Sequence, residues 1–431
     1  MDLSWMLGHS KTSFYHSDKS LELKDKSGSK ISLAETCEAA TPPCRLNPFL
    51  FNGHLQTFWT VMKHDTVPIY YRRKIFSAES AAYAGTYAVD FVVPPFKDHD
   101  ESLPPRTANF EESEEIRSLD DKPMLVALHG LSGGSHELYL RHVLAPLVTE
   151  EGGWEACVIN SRGCAESKIT TGVLYNARAT WDARQTIKWL RETFPNRPLF
   201  GIGFSLGANI LTNYLGEEGS NCILKAAVVC SNPWNLEIGS KALQRTWLGL
   251  EVYSKTMGNS MRALFEKHVD QIRENSNVDI ESVRKVKYLH EFDRELQTRT
   301  WGYPTVDAYY RDASSSDSVL AVKIPLFAIH AEDDPIAVNE ATPVDEFRQN
   351  PYTVMCKTAT GGHLGWFEFG GSRWFAKPAV NFLNKMARDM DIKEADGNLT
   401  SANGTTGISS SRQTPDYDPM RRRLNMHIEK A

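Results

Sequence analysis

The middle of the chain repeats one unit: a short, nearly continuous apolar run, a glycine-bearing turn, and an amphipathic stretch. The apolar runs are Met124-Leu125-Val126-Ala127-Leu128, Ala156-Cys157-Val158-Ile159, Leu199 to Phe204, and Ala226 to Cys230. Helical patterns around Glu137 to Val148 and Ala179 to Phe194 separate them. A strand that is apolar on both sides has to be covered on both faces, which a mostly parallel central sheet with helices on each side provides. The rhythm resumes at Ile324 to Ile329 and Thr353 to Cys356, followed by a helix through Phe375 to Met390. Right-handed crossovers then bring the carboxyl ends of the strands to one edge of the sheet, where such folds place their chemistry.

Around this centre the pattern changes. Ile69-Tyr70-Tyr71 and Tyr87 to Val93 read as an opening antiparallel hairpin, its second strand alternating at Tyr87, Val89, Phe91 and Val93. Lys97 to Asp121 is acidic and proline-bearing, a solvated loop. Between residues 232 and 317 the alternation lapses into Trp/Tyr/Arg/Glu-rich helical sequence, including Leu243 to Met261 and Val283 to Arg299, which is the place for a helical cap. The division expected is a flexible Ser/Lys/Glu-rich leader (1–46), a first core segment (47–231), the cap (232–317), a second core segment (318–390) and a disordered tail (391–431).

Composition narrows the function classes. The chain has 431 residues, 41% of them hydrophobic and 24% charged, in the range of soluble globular proteins. Its net charge of -6, with no long basic run, excludes nucleic acid as the main partner. The seven cysteines are scattered and lack the paired spacings of a zinc site, so they read as reduced thiols, and neither a metal nor a cofactor is expected. Met1 to Lys30 holds no apolar stretch of signal-peptide or membrane-spanning length, which points to an intracellular, cytoplasmic protein. The Asn398 and Asn403 glycosylation-like triplets then read as polar tail sequence, and Arg421-Arg422-Arg423 as solvated or as a contact for an anionic membrane surface.

The chemistry centres on Gly203-Phe204-Ser205-Leu206-Gly207. A bare Gly-x-Ser-x-Gly would arise by chance in roughly one chain in ten of this length. Context makes it informative: it follows the apolar run from Leu199 and opens the helical sequence Ala208 to Tyr214, a strand–elbow–helix that exposes a serine hydroxyl. A serine hydroxyl becomes a useful nucleophile only beside a base, and an imidazole base needs a carboxylate to fix its tautomer. Downstream, the strand ending at His330 leads into Ala331-Glu332-Asp333-Asp334-Pro335, offering Asp334 as the acid with Asp333 as its rival. Among 13 histidines, His363 in Thr360-Gly361-Gly362-His363-Leu364-Gly365 sits on a loop after the last strand, flanked by glycines. His129-Gly130-Leu131-Ser132-Gly133-Gly134 follows an earlier strand, so the backbone amides of Leu131 and Leu206 are candidates for an oxyanion hole. His129 is expected to shape that loop, and the aromatic cap residues Trp234, Trp247, Tyr253 and Trp301 either line an acyl pocket or pack the lid.

Together these motifs, with Asn47-Pro48, Gly53-His54-Leu55-Gln56-Thr57 and Asn160-Ser161-Arg162-Gly163-Cys164, resemble the AB-hydrolase-4 family of α/β hydrolases over roughly Asn47 to Arg388. The resemblance implies the α/β-hydrolase fold, the Ser–Asp–His triad at Ser205, Asp334 and His363, and no cofactor. It implies a serine carboxylesterase acting on short- or medium-chain acyl esters through an acyl-enzyme, with water or an alcohol as acceptor and hence a capacity for ethyl ester synthesis. Acylglycerol lipase or thioesterase action on the same triad, a peptidase, and a non-catalytic binding protein of this fold are the alternatives. Partners would be an acyl ester, an acylglycerol or an acyl-CoA. Peripheral contact with lipid droplets or organelle membranes would replace a transmembrane anchor. The His-x4-Asp acyltransferase element of some relatives is absent.

Overall fold

The computed structural model describes residues 8–62, 67–97, 100–111, 114–274 and 277–391. Residues 1–7 of the expected leader and 392–431 of the expected tail, with its glycosylation-like triplets and three arginines, lie outside the described residues.

Among the described residues ten strands form the central sheet. They are β1 (Thr12–His16), β2 (Tyr70–Ser77), β3 (Thr86–Val93), β4 (Thr107–Asn109), β5 (Met124–Leu128), β6 (Glu155–Asn160), β7 (Leu199–Phe204), β8 (Ala227–Cys230), β9 (Leu326–Ala331) and β10 (Thr353–Thr358). Their order across the sheet is β1-β10-β9-β8-β7-β5-β6-β3-β2-β4. From β10 to β6 every pair is parallel. The margins reverse: β1 is antiparallel to β10, and β3 is antiparallel to both β6 and β2.

The parallel centre follows from the sequence pattern. Every residue of β5 is buried, and successive side chains enter opposite halves of the core. Leu125 and Ala127 meet Phe200, Ile202 and Phe204 of β7 on one face, under helices α1 (Leu33–Ala40), α3 (Leu138–Leu147) and α9 (Ala376–Arg388). Met124, Val126 and Leu128 meet α4 (Trp181–Thr193) and α5 (Leu206–Glu218) on the other.

Two sequence expectations are corrected. The chain does not wait until Asn47 to fold. Strand β1 pairs with β10 from Thr12↔Thr358 to His16↔Val354, and α1 buries Leu33, Ala34, Cys37 and Ala40 in the main core. The signal was local: Ser32 and Glu35 form a reciprocal capping box, and Ala40 O accepts from Asn381 Nδ2 of α9 at 3.0 Å. The acidic stretch from Lys97 to Asp121 also contributes β4, which pairs in parallel with β2.

Between β8 and β9 the chain builds a helical layer. It comprises α6 (Leu236–Arg245), a π turn (Leu248–Ser254), α7 (Lys255–Lys267), a helical stretch from Leu289 to Trp301 with a π turn at Asp293–Gln297, and α8 (Val306–Ala313). The helical sequence expected over Leu243 to Met261 is interrupted at Thr246, which is extended (φ -120°, ψ 148°) and whose hydroxyl accepts the Gly249 amide at 2.9 Å. The layer rests on Cys164, Ile169, Leu174 and Trp181 through Met261, Leu264 and Phe265. Helix α2 (Gly53–Met62) approaches the same strand ends.

Candidate active site

At the carboxyl end of β7 the chain turns through Ser205 into α5. Ser205 has φ 51° and ψ -120°, a left-handed conformation that costs a non-glycine residue on the order of 1–3 kcal/mol. Its neighbours allow the tight turn because they lack side chains. A Cβ on Gly203 would lie 2.6 Å from the Gly207 carbonyl oxygen, and one on Gly207 would lie 2.4 Å from the carbonyl oxygens of Leu128 and His129. The Ser205 amide donates to the Cys230 carbonyl at 2.9 Å, tying the elbow to β8. A serine at the start of a helix ordinarily caps it with its hydroxyl. Here no such bond forms, and the hydroxyl is free for another partner.

That partner is His363. Its Nε2 lies 2.8 Å from Ser205 Oγ, and its Nδ1 lies 2.9 Å from Asp334 Oδ2. With Nδ1 donating to the carboxylate, Nε2 carries the lone pair that accepts the serine proton. Asp334 is 3% exposed, and its Oδ1 also accepts the amides of Ile336 and Ala337 at 2.9 and 2.8 Å. Burial pushes this carboxyl up. The charge and hydrogen bond of His363, then His330 and the Ile336 amide, outweigh it and hold the pKa below the usual carboxylate value.

The rival acid has a different place. Asp333 Oδ1 accepts the Gly362 amide at 3.0 Å, and its Oδ2 is buried without a partner. Burial raises its pKa to about 6 against the pull of that amide. Asp333 therefore braces the loop that carries His363, together with Thr57, whose hydroxyl accepts the His363 amide at 2.8 Å. Thr57 in turn donates to Gly53 O at 2.6 Å, so helix α2 belongs to the frame of the site.

The loop after β5 faces the same elbow. The Gly130 amide donates to the Tyr139 hydroxyl and the Ser132 amide to the Tyr175 hydroxyl, each at 2.8 Å. Between them the Leu131 amide is taken up by no group among the described residues, and the same holds for the Leu206 amide at the start of α5. His129 accepts the Ser161 amide on Nε2 at 3.0 Å, which leaves Nδ1 as the donor to Gly130 O at 2.6 Å. Burial lowers its pKa to about 4, so it stays neutral and holds the loop. Behind it Asp90 receives Arg73 through both carboxylate oxygens at 2.7 and 2.8 Å, and also Ser135 and Asn160, fixing the loop's far end to β3 and β6.

A cavity opens above Ser205, Leu131 and Leu206, with about 820 Å³ of atom-free space when the open solvent at its mouth is included. Helix α6 supplies Leu236, Ser240 and Leu243 to its wall and α7 supplies Met257 and Met261, at helical spacings that put each set on one face. None of the four aromatic cap residues considered from the sequence lines it. Trp234 is core, edge-on to Phe347 at 5.3 Å. Trp247 is 72% exposed, Trp301 packs on Trp181 at 4.9 Å, and Tyr253 bonds to His54 Nδ1 at 2.7 Å. Leu236, Leu243, Met257 and Met261 line the cavity from α6 and α7 and Tyr309 and Tyr310 line it from α8, while the indoles pack outward or within the lid core. No group of three or more His, Cys, Asp or Glu that could hold a metal occurs among the described residues.

The sequence motifs gave no role to Tyr139, Tyr175 or the Arg73–Asp90 pair, and Thr57 entered only as the last residue of the Gly53-to-Thr57 motif. Each acts on the site through a hydrogen-bond partner outside its own element, and a local hint for Asp90 was its place in a buried-type strand, Tyr87 to Phe91.

Comparison with known proteins shows the family of the chain. The alpha/beta hydrolase fold family matches residues 123–368. The chain is 34% identical over 404 residues to a monoacylglycerol lipase of Saccharomyces cerevisiae, spanning 87% of this chain and 89% of that protein. It is 29% identical over 390 residues to medium-chain fatty acid ethyl ester synthase/esterase 2 of the same yeast, spanning 79% and 85%. Among solved structures, an esterase of Pyrococcus furiosus aligns over 70% of this chain and 87% of its own with 17% identity and a TM-score of 0.41. With a match that runs from the start of β5 past His363, this chain belongs to the α/β-hydrolase family.

Proposed function

We propose that the protein is a serine carboxylesterase that cleaves short- or medium-chain fatty acyl esters through an acyl-enzyme on Ser205. The observation that carries this reading is the single imidazole of His363 set between Ser205 Oγ at 2.8 Å and Asp334 Oδ2 at 2.9 Å. His363 removes the serine proton as Oγ attacks the ester carbonyl, and Asp334 stabilises the imidazolium that forms. The Leu131 and Leu206 amides receive the oxyanion, assisted by the amino-terminal end of α5. His363 then gives its proton to the departing alkoxide. Water, or an alcohol in ethyl ester synthesis, attacks the acyl group in the second half of the cycle. The named activities of the two yeast relatives, a monoacylglycerol lipase and an ethyl ester synthase/esterase, support acylglycerols and simple esters as substrates and both acceptors. Acyl-CoA is a donor compatible with the same chemistry.

Contact with a lipid surface fits this reading. Phe49, Phe51, Phe58 and Phe369 are 75%, 61%, 59% and 78% exposed. They lie on α2 and on the two loops tied to it by Gln56, which bonds to Leu50 O and to the Phe367 amide. No helix among the described residues is long and apolar enough to cross a membrane.

The deciding experiment pairs a fluorophosphonate probe with a substrate panel of p-nitrophenyl esters, acyl-CoAs and peptides. Ser205 should be labelled in the parent and not in S205A, with esters turned over fastest. Equal labelling of S205A, or a preference for peptides, refutes the reading. Medium-chain acyl-CoA with ethanol then separates hydrolysis from ester synthesis by the ratio of free acid to ethyl ester.

A further inference from the structure

The cavity above Ser205 is mostly hydrocarbon-lined, yet one stretch of the cap turns polar groups into it. His290, Asp293 and Gln297 all face the space, at the i, i+3 and i+7 spacing that shares a helix face. Asp293 opens the π turn Asp293–Gln297, a widened turn of the kind that recurs at functional sites. It is 7% exposed and accepts the Tyr310 hydroxyl on Oδ2 at 2.7 Å. The adjacent Arg294 turns to Glu295 at 2.9 Å, and no basic side chain pairs with Asp293 among the described residues. His290 Nδ1 is buried without any partner.

A carboxyl without a counter-ion in an apolar chamber is a costly group to keep, because a single hydrogen bond does not repay the water it has lost. Gln297 is already committed, its amide donating to Tyr175 O at 3.0 Å. Among the described residues no group but Tyr310 donates to the Asp293 carboxyl, which lines the cavity. Burial raises its pKa to about 7, opposed by the Tyr310 bond, so the group is present both as acid and as carboxylate near neutrality. The acid donates and accepts a hydrogen bond; the carboxylate accepts. A neutral hydroxyl, itself donor and acceptor, satisfies either form.

We propose that Asp293, backed by Tyr310, is a hydroxyl-recognition subsite that selects esters bearing a free hydroxyl, such as those of glycerol or another polyol. The inference rests on the esterase reading of Ser205 and names a substrate class for it. The hydroxyl is carried either by the alcohol half or by the acyl chain.

The test compares kcat/KM for three substrates of one acyl length: the glycerol monoester, the ethyl ester, and the ethyl ester of the ω-hydroxy acid. D293A and D293L remove the carboxyl with and without leaving space beside the cavity, and probe labelling of Ser205 monitors an assembled site. In the parent, at least one hydroxyl-bearing substrate should exceed the plain ethyl ester, and both variants should lower that ratio tenfold or more. A fall for the glycerol ester places the hydroxyl in the alcohol half; a fall for the ω-hydroxy ester places it on the acyl chain. Unchanged ratios in variants that still label overturn the subsite and leave the esterase reading standing, whereas a parent that cleaves none of the three esters overturns the esterase reading itself. Should both variants fail to label, the parent decides through inhibition. An alkyl glycerol ether or ω-hydroxyalkyl ether should compete with a p-nitrophenyl ester at least tenfold better than the plain ether, and equal inhibition overturns the subsite.

Discussion

The hydroxyls of Tyr139 and Tyr175 grip one loop from two sides, taking the amides of Gly130 and Ser132 at 2.8 Å each and leaving the Leu131 amide between them unspent. Ser132 sits at φ 53°, so the grip also holds a strained residue in place.

Removing one phenolic oxygen should loosen the loop without removing Leu131. Y175F is expected to lower kcat roughly tenfold, against about 10²–10³ for outright loss of an oxyanion donor. KM should change little, because the misplaced amide matters most when the oxyanion forms. Y139F should behave alike. Steady-state kinetics on a p-nitrophenyl ester checks this, and a rise in KM with kcat intact would show that the two tyrosines shape the cavity and not the oxyanion loop.

Asp333 and Asp334 are adjacent in sequence and opposite in electrostatics. Asp334, held below the usual carboxylate range, stabilises the fold above its unfolded pKa, a contribution lost as pH falls through its folded value. Asp333, raised to about 6 from the usual 3.8, is protonated in the folded chain and ionised in the unfolded one between those values. Stability from Asp333 therefore declines as pH rises from about 4 to 6 and stays reduced above. D333N should be more stable than the parent at pH 8 by roughly 1–3 kcal/mol, with the advantage shrinking toward pH 4, and should keep most of the activity. D334N should lose on the order of 10⁴ in kcat. Denaturant titrations across pH with parallel rates decide both, and parallel stability curves for the parent and D333N would contradict the burial of that carboxyl.

The parallel centre was legible because β5, β7, β8 and β9 are apolar on both faces, and the elbow because strand, glycines and helix are contiguous in the chain. Strand β1 was not, because all five of its residues are only half-buried and its pairing with β10 spans most of the chain. Asp293 read as one more charge in Asp293-Arg294-Glu295; only the π turn and the facing Tyr310 reveal that it points inward while Arg294 does not. Helix α1, by contrast, offers a direct check that the amino-terminal segment belongs to the core. Leu33 is fully buried there, so L33A should cost about 2–5 kcal/mol with kcat within twofold of the parent. A change below 0.5 kcal/mol in denaturant unfolding would return residues 8–46 to a leader.

The cavity wall sets a limit on acyl length that one residue can move. Leu243 faces the space from α6, across from Met257 and Met261, and is 7% exposed. L243W puts an indole at this position of the cavity wall. Each methylene that a substrate can no longer bury costs about 0.8 kcal/mol, roughly a factor of four in kcat/KM. Two excluded methylenes should therefore lower turnover of the longest accepted chain by on the order of tenfold, while acetyl and butyryl esters should be cleaved as before. A series of p-nitrophenyl esters of increasing chain length reads this as a shift of the optimum toward shorter chains. A uniform loss across the series would mean that the acyl chain leaves Ser205 by another route and that this chamber holds the alcohol half, the half in which a glycerol hydroxyl would meet Asp293.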